Sequence, residues 1–231
     1  MTTEGSKQRL RYFPEVYNVA DEKSARQIIL TDDGEGANTA TRWAAETPYL
    51  LELFQNTLNL RADSLVLDYG CGIGRLSKAI IDASGCSVIG LDASASMRKL
   101  ALDYVGSDRF TTVSPVQFDT LVAAGLRVHA AIAVWVLQHC FSPGDDVARI
   151  RRSLVPAGSL WVMSMSERAV PAVREGMEVR EGFCWVSDGI DVAALLRAEF
   201  DVVAAGEPDR SRVPNAHAFW MSLRSRESDP R

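Results

Sequence analysis

The chain has no apolar run longer than eight residues, 130–137, where a helix crossing a bilayer needs about 18 or more, so no membrane span is expected. It has no excess of positive charge either. Against 30 Asp and Glu stand 25 Lys and Arg, a net −5, which lacks the electropositive footprint that long nucleic acid requires. Four cysteines are scattered without a CxxC pair among only three histidines, which argues against a structural zinc site. The opening MTTEGSKQRLRYF is polar and basic with no apolar segment behind it, so it does not read as a secretory signal. These absences predict a cytosolic chain with free, mostly buried thiols. No internal repeat is visible.

What is present is ordinary for a folded domain: 231 residues, 47% hydrophobic and 24% charged. That length suits one domain with a full core plus a small appendage. The first 60 residues read as the appendage, a helical cap or lid. An aromatic stretch, Tyr12-Phe13-Pro14 with Tyr17, leads through the polar acidic segment 31–39 into a helical pattern over 41–60, where Leu50, Leu53, Phe54 and Thr57 share one face. Residues 61–225 read as the core and 226–231 as a solvated tail.

Within the core, β-rich runs alternate with helical patterns, the signature of βαβ units around a parallel sheet. Strands are expected at 65–68, 87–92, 110–113, 130–137, 159–165, 200–204 and 217–223. The last two, joined by a loop instead of a helix, are expected to add antiparallel at the sheet edge.

The most informative segment is VLDYGCGIGRLSKAI, 66–80. A buried strand runs into Gly70, Gly72 and Gly74 and then directly into a helix, so backbone can approach a ligand at a helix N-terminus. A dinucleotide site needs G-x-G-x-x-G, and its third glycine falls where this chain has Arg75. Asp68, at the strand end, repels a pyrophosphate but attracts an ammonium group, which points to a zwitterion. One strand further, Asp92 ends VIGLD, and parallel neighbours place both carboxylates on one crevice. A carboxylate there suits a ribose diol.

These residues resemble the class I S-adenosylmethionine-dependent methyltransferases of the small-molecule type, over about 64–223. The resemblance implies a doubly wound, mostly parallel seven-stranded α/β sheet, Rossmann-like, with its last strand antiparallel. It implies S-adenosylmethionine as cofactor, with Asp68 and the three glycines holding its methionine part, Asp92 its ribose and Ala93 lying against the adenine. The end of the strand near Trp135 then passes beneath the transferring methyl. Many members carry an acid after the third strand, where this chain has Ser114-Pro115; Asp119 is the nearest substitute. Neither [DN]PP[YF] nor a Pro-Cys nucleophile is present, so the acceptor is expected to be a small molecule methylated at O or N.

For the reaction, the Trp43-bearing helix and the segment 167–188 are the expected lid, with Trp43, Trp135 and Trp185 as candidate walls. His139, two residues past the 130–137 strand, is the candidate general base. Cys140 reads as a packed thiol and Arg149, Arg151 and Arg152 as a solvated helix face. His129 and His217 start strands and are expected on the far edge of the sheet. Two other readings remain open at this point, a cofactor-binding module without turnover and a nucleotide-dependent oxidoreductase. The acceptor and the oligomeric state are not legible.

Overall fold

A computed structural model describes residues 10–31, 38–174, 183–215 and 217–226. In chain order its elements are β1 (Leu10–Tyr12), a 3-10 turn (Pro14–Tyr17), α1 (Glu22–Ile29), α2 (Thr39–Leu58), β2 (Leu65–Tyr69), α3 (Arg75–Ser84), β3 (Ser87–Leu91), α4 (Ala95–Val105), β4 (Phe110–Val113) and α5 (Pro115–Ala123). There follow β5 (Val128–Val134), a 3-10 turn (Leu137–His139), α6 (Pro143–Ser153), β6 (Leu154–Met165), β7 (Val170–Arg174), β8 (Cys184–Val186), α7 (Val192–Glu199), β9 (Phe200–Gly206) and β10 (Ala218–Ser225). Four expectations fall partly outside the described residues: the opening of the cap at 1–9, the acidic segment at 32–37, the middle of the proposed lid at 175–182, and the tail at 227–231.

A seven-stranded sheet runs in the order β4-β3-β2-β5-β6-β10-β9. The first five strands are mutually parallel, and β10 is antiparallel to both β6 and β9. The doubly wound architecture follows from strands that are apolar on both faces. Val66, Val88, Ile132 and Trp161 point to one side and pack with Leu50 and Phe54 of α2, Ile80 of α3 and Val105 of α4. Their neighbours Leu67, Ile89, Ala131 and Val162 point to the other side, against Phe118 of α5, Val147 and Ile150 of α6 and Leu196 of α7.

Order reverses between β2 and β5: β2 is followed in sequence by a neighbour on one side and paired with β5 on the other. Ligands bind outside the carboxyl ends of strands at such a reversal. The register puts Asp68 opposite Gly90 and Tyr69 opposite Leu91, so Asp92 follows at the same edge.

α2 starts at Asn38, whose side chain accepts the N–H groups of Ala40 and Thr41, and it ends at Asn59 in the left-handed conformation. Thus the 41–60 helix is found within two residues. Several elements were not expected. α1 is one, and α5 is another; the latter opens with a Ser114–Gln117 capping box and Pro115. The strand expected at 130–137 stops at Val134, because Trp135 turns to φ +57°. A second, antiparallel sheet, β1-β7-β8, joins the N-terminal segment to the proposed lid through Tyr12↔Ala172 and Ala172↔Cys184.

Candidate functional site

The turn after β2 is built from three left-handed glycines, with φ of +77° at Gly70, +54° at Gly72 and +80° at Gly74. A side chain is strained there whatever the space around it. There is little space: a Cβ on Gly70 meets Val136 at 2.4 Å, and one on Gly72 meets Ile29 of α1 at 2.7 Å. The turn is pinned to the next strand by Gly70 and Cys71, whose N–H groups both donate to the Leu91 carbonyl at 2.7 and 3.0 Å.

This pinning brings the two predicted carboxylates together. Asp92 accepts from the Gly72 N–H at 2.9 Å through one oxygen and from the Ser94 N–H at 2.8 Å through the other. Each carboxylate oxygen retains a further lone pair. Asp68 is 3% exposed and accepts from the Ser77 hydroxyl at 2.7 Å. Burial pushes both carboxyls up to about 6, against the pull of Ser77 and Arg75 on Asp68 and of the Ser94 and Gly72 N–H groups on Asp92.

α3 begins at Gly74, which has no side chain to cap it, and at its first turn the Ser77 N–H is turned toward Asp68. Arg75, the first residue of α3, is 4% exposed. Its guanidinium lies 5.3 Å from the Trp43 ring and donates one hydrogen bond, to Thr47 at 3.1 Å, while its Nε is buried without a partner. Across from it Glu46, fully buried, holds Arg42 at 2.7 Å and accepts from the Trp135 indole at 3.2 Å. That bond and a backbone bond to Met163 hold Trp135 in its left-handed conformation.

The N-terminal segment closes over this crevice. Ala25 and Leu30 pack with Trp43, Ile73 and Met97. The Val19 N–H donates to Ser96 at 2.9 Å, and Ser94 donates to the Asn18 side chain at 3.2 Å, immediately beside Asp92. Ala93 is exposed.

His139 lies at the other end of the opening. Its Nδ1 is 2.6 Å from the Ala169 carbonyl, which can only accept, so Nδ1 carries the hydrogen and Nε2 the lone pair. Nε2 faces the Gln138 amide nitrogen at 3.3 Å, and the Gln138 oxygen accepts from Ser164 at 3.0 Å. Burial holds the imidazole below its usual range, so it stays neutral near pH 7.

Other expectations are corrected. Asp119 does not reach the crevice: it sits on α5 in an ion pair with Arg149 at 2.8 Å. Ser114 is engaged in capping α5. Arg149 is not part of a free solvated face, since it also bonds Asp146 at 2.7 Å and the Tyr69 hydroxyl at 2.9 Å, while Arg151 pairs with Glu199. His217 is on the crevice end of the sheet, because β10 runs antiparallel and Ala218 lies opposite Met165. It is exposed there; His129 is at the far end as expected, accepting from the Leu65 N–H. Cys140 is packed, its thiol pushed up by burial. Among the described residues there is no cluster with metal-ligand composition, and no helix is long and apolar enough to cross a membrane. Sequence reasoning passed over Arg75, Glu46 and Tyr17 as site residues. Only Arg75 carried a signal, by standing where a glycine was sought.

Residues 67–160 match the family model of a methyltransferase domain. No curated protein matches the chain. Among solved structures, the PH0226 protein from Pyrococcus horikoshii OT3 is similar at 16% identity over 90% of this chain and 100% of that one, TM-score 0.62. The 1,6-didemethyltoxoflavin-N1-methyltransferase of Burkholderia thailandensis, crystallised with its acceptor and S-adenosylhomocysteine, is similar at 20% identity over 98% and 99%, TM-score 0.57. The [4+2]-cyclase SpnF has the same fold at 17% identity over 87% of each chain, TM-score 0.59. The Rossmann-like seven-stranded fold is borne out, and so is a methyltransferase domain over residues 67–160.

Proposed function

We propose that the chain transfers the methyl group of S-adenosylmethionine to an O or N atom of a small-molecule acceptor. The observation that supports this best is the convergence of Asp68 and Asp92 at one sheet edge, with Asp92 held by the Gly72 N–H and Asp68 by Ser77, beside an arginine whose buried Nε has no partner. A buried guanidinium nitrogen left unpaired is costly unless a ligand supplies the acceptor. The cofactor's methionine end is a zwitterion, and the residues present fit it: Arg75 for the carboxylate, Asp68 for the ammonium. Asp92 would take the ribose hydroxyls and Ala93 would lie against the adenine.

When bound, the cofactor supplies a methyl group on a cationic sulfur, which leaves with the carbon–sulfur electron pair. The chain has to align the acceptor, exclude water and accept a proton. Alignment and exclusion alone account for up to ~7–11 kcal/mol of barrier lowering. Trp43 and α1, closed over the crevice, serve exclusion, and Trp135 lies where β5 ends beside it. For a hydroxyl or N–H acceptor, the His139 Nε2 lone pair is the candidate base, its tautomer fixed by Ala169, once the acceptor displaces the Gln138 amide that donates to it.

Calorimetry with S-adenosylhomocysteine tests the reading. Binding of about micromolar strength, lost in Asp92→Ala, is expected; no heat from the wild-type chain overturns the cofactor assignment. His139→Ala should lower turnover at unchanged cofactor affinity. An unaltered rate would return His139 to a structural role. A chain that binds the cofactor normally but transfers no methyl to any acceptor favours the binding-module reading.

A further inference from the structure

The small sheet and the turn after β5 carry a set of rings that the cofactor crevice does not use. Tyr12 lies 5.3 Å from Phe141, Trp185 lies 5.4 Å from both His139 and Phe183, and Tyr17 lies 6.2 Å from His139. These rings come from three separated stretches of chain, yet Phe141 is 61% and Trp185 50% exposed. Converging, solvent-facing aromatic surface of this kind marks a binding site. It also borders the cofactor crevice, because the chain passes from Tyr17 through Asn18 and Val19 to Ser94 and Ser96, next to Asp92.

We infer that this aromatic wall seats the methyl acceptor, and that the acceptor is a planar aromatic ring system, hydrogen-bonded at its edge by the Tyr17 hydroxyl. The inference rests on the methyl-transfer reading above and gives its acceptor a chemical class. Two observations set that class. Flat ring faces reward a flat partner. The Tyr17 hydroxyl is buried without a partner, and burial holds its proton on, so it offers a donor to an acceptor edge.

The test uses the full chain saturated with S-adenosylhomocysteine and two probes, 1-naphthol and its saturated counterpart decahydro-1-naphthol. The aromatic probe should bind about tenfold more tightly. The double variant Trp185→Leu/Phe141→Leu should erase that preference at unchanged S-adenosylhomocysteine affinity, and both sites are exposed enough for the variant to fold. Tyr17→Phe should weaken 1-naphthol about fivefold while leaving naphthalene unaffected. Equal affinity for the two probes, or a preference that survives the double variant, overturns the aromatic acceptor while the cofactor reading stands. Failure of S-adenosylhomocysteine to bind removes both.

Discussion

Replacing Arg75 with Met separates a ligand-holding arginine from a structural one. The guanidinium sits over the Trp43 ring with one hydrogen bond to Thr47 and a buried, unpaired Nε. Met keeps an apolar stem under Trp43. The rest of the buried polar group survives: Glu46 retains Arg42 at 2.7 Å and Trp135 at 3.2 Å, and the Thr47 hydroxyl still donates to the Trp43 carbonyl at 2.7 Å. What disappears is a charge-assisted contact to the cofactor's carboxylate. Such contacts contribute about 1.5–3 kcal/mol, or roughly a 10- to 150-fold change in affinity. Calorimetry with two ligands reads it out. S-adenosylhomocysteine should lose that factor, and 5′-methylthioadenosine, which has the nucleoside and sulfur but no amino acid, should bind wild type and variant alike. Equal losses for both ligands would show that Arg75 only shapes the pocket. An unchanged S-adenosylhomocysteine affinity would place the carboxylate elsewhere.

Three further outcomes follow from the same geometry. Asp68 is raised from 3.8 to about 6 by burial, so the folded chain holds this proton more tightly than the unfolded one; its stabilising contribution is full below pH 3.8 and lost as pH rises through about 6. Asp68→Asn should therefore gain up to ~3 kcal/mol over wild type at pH 8 but little at pH 4, while losing S-adenosylhomocysteine; urea unfolding at the two pH values that showed no difference in this gain would refute it. Gly72→Ala, with φ +54° and Ile29 2.7 Å from the new Cβ, should lower the thermal midpoint by the equivalent of about 1–3 kcal/mol, and an unchanged Tm would refute both the backbone strain and the contact with α1. Glu46→Leu strands Arg42 and Arg75 in a buried site and should destabilise by about 3–5 kcal/mol in chemical denaturation; a loss below about 1 kcal/mol would show that water reaches the cluster.

The proposed cofactor half of the candidate site was legible because it is local. Asp68, the glycines and Asp92 lie within one βαβ unit, where strand parity and a strand-to-helix bend fix which residues share an edge. α5 was missed because its apolar face is nearly a single residue: within the helix, only Phe118 is buried, and the helix is declared by a capping box instead of a periodicity. The Trp135 turn left no trace, since its left-handed backbone is held by Glu46, which lies far back in the chain on α2. Arg149 read as solvated because helical spacing gives the face but not the partner, and its partners Asp119 and Tyr69 come from α5 and β2.

The proposed acceptor half is the opposite case. Tyr12, His139 and Trp185 meet only because β1 pairs with β7 and β7 with β8, a sheet of strands three to five residues long with no sequence periodicity to announce it. The same division decides how much each motif proves. The φ values of Gly70, Gly72 and Gly74 demand glycine for the bend itself, ligand or not. Glycine spacing therefore establishes a turn, and the turn becomes a binding site through groups that the spacing does not mention: the unpaired Nε of Arg75 brought by α3 against α2, and the N-terminal segment that α1 lays over Gly72. Ile29 of α1 occupies the space above that glycine, so the residues that cover the turn lie outside 67–160, the span that matches the methyltransferase domain.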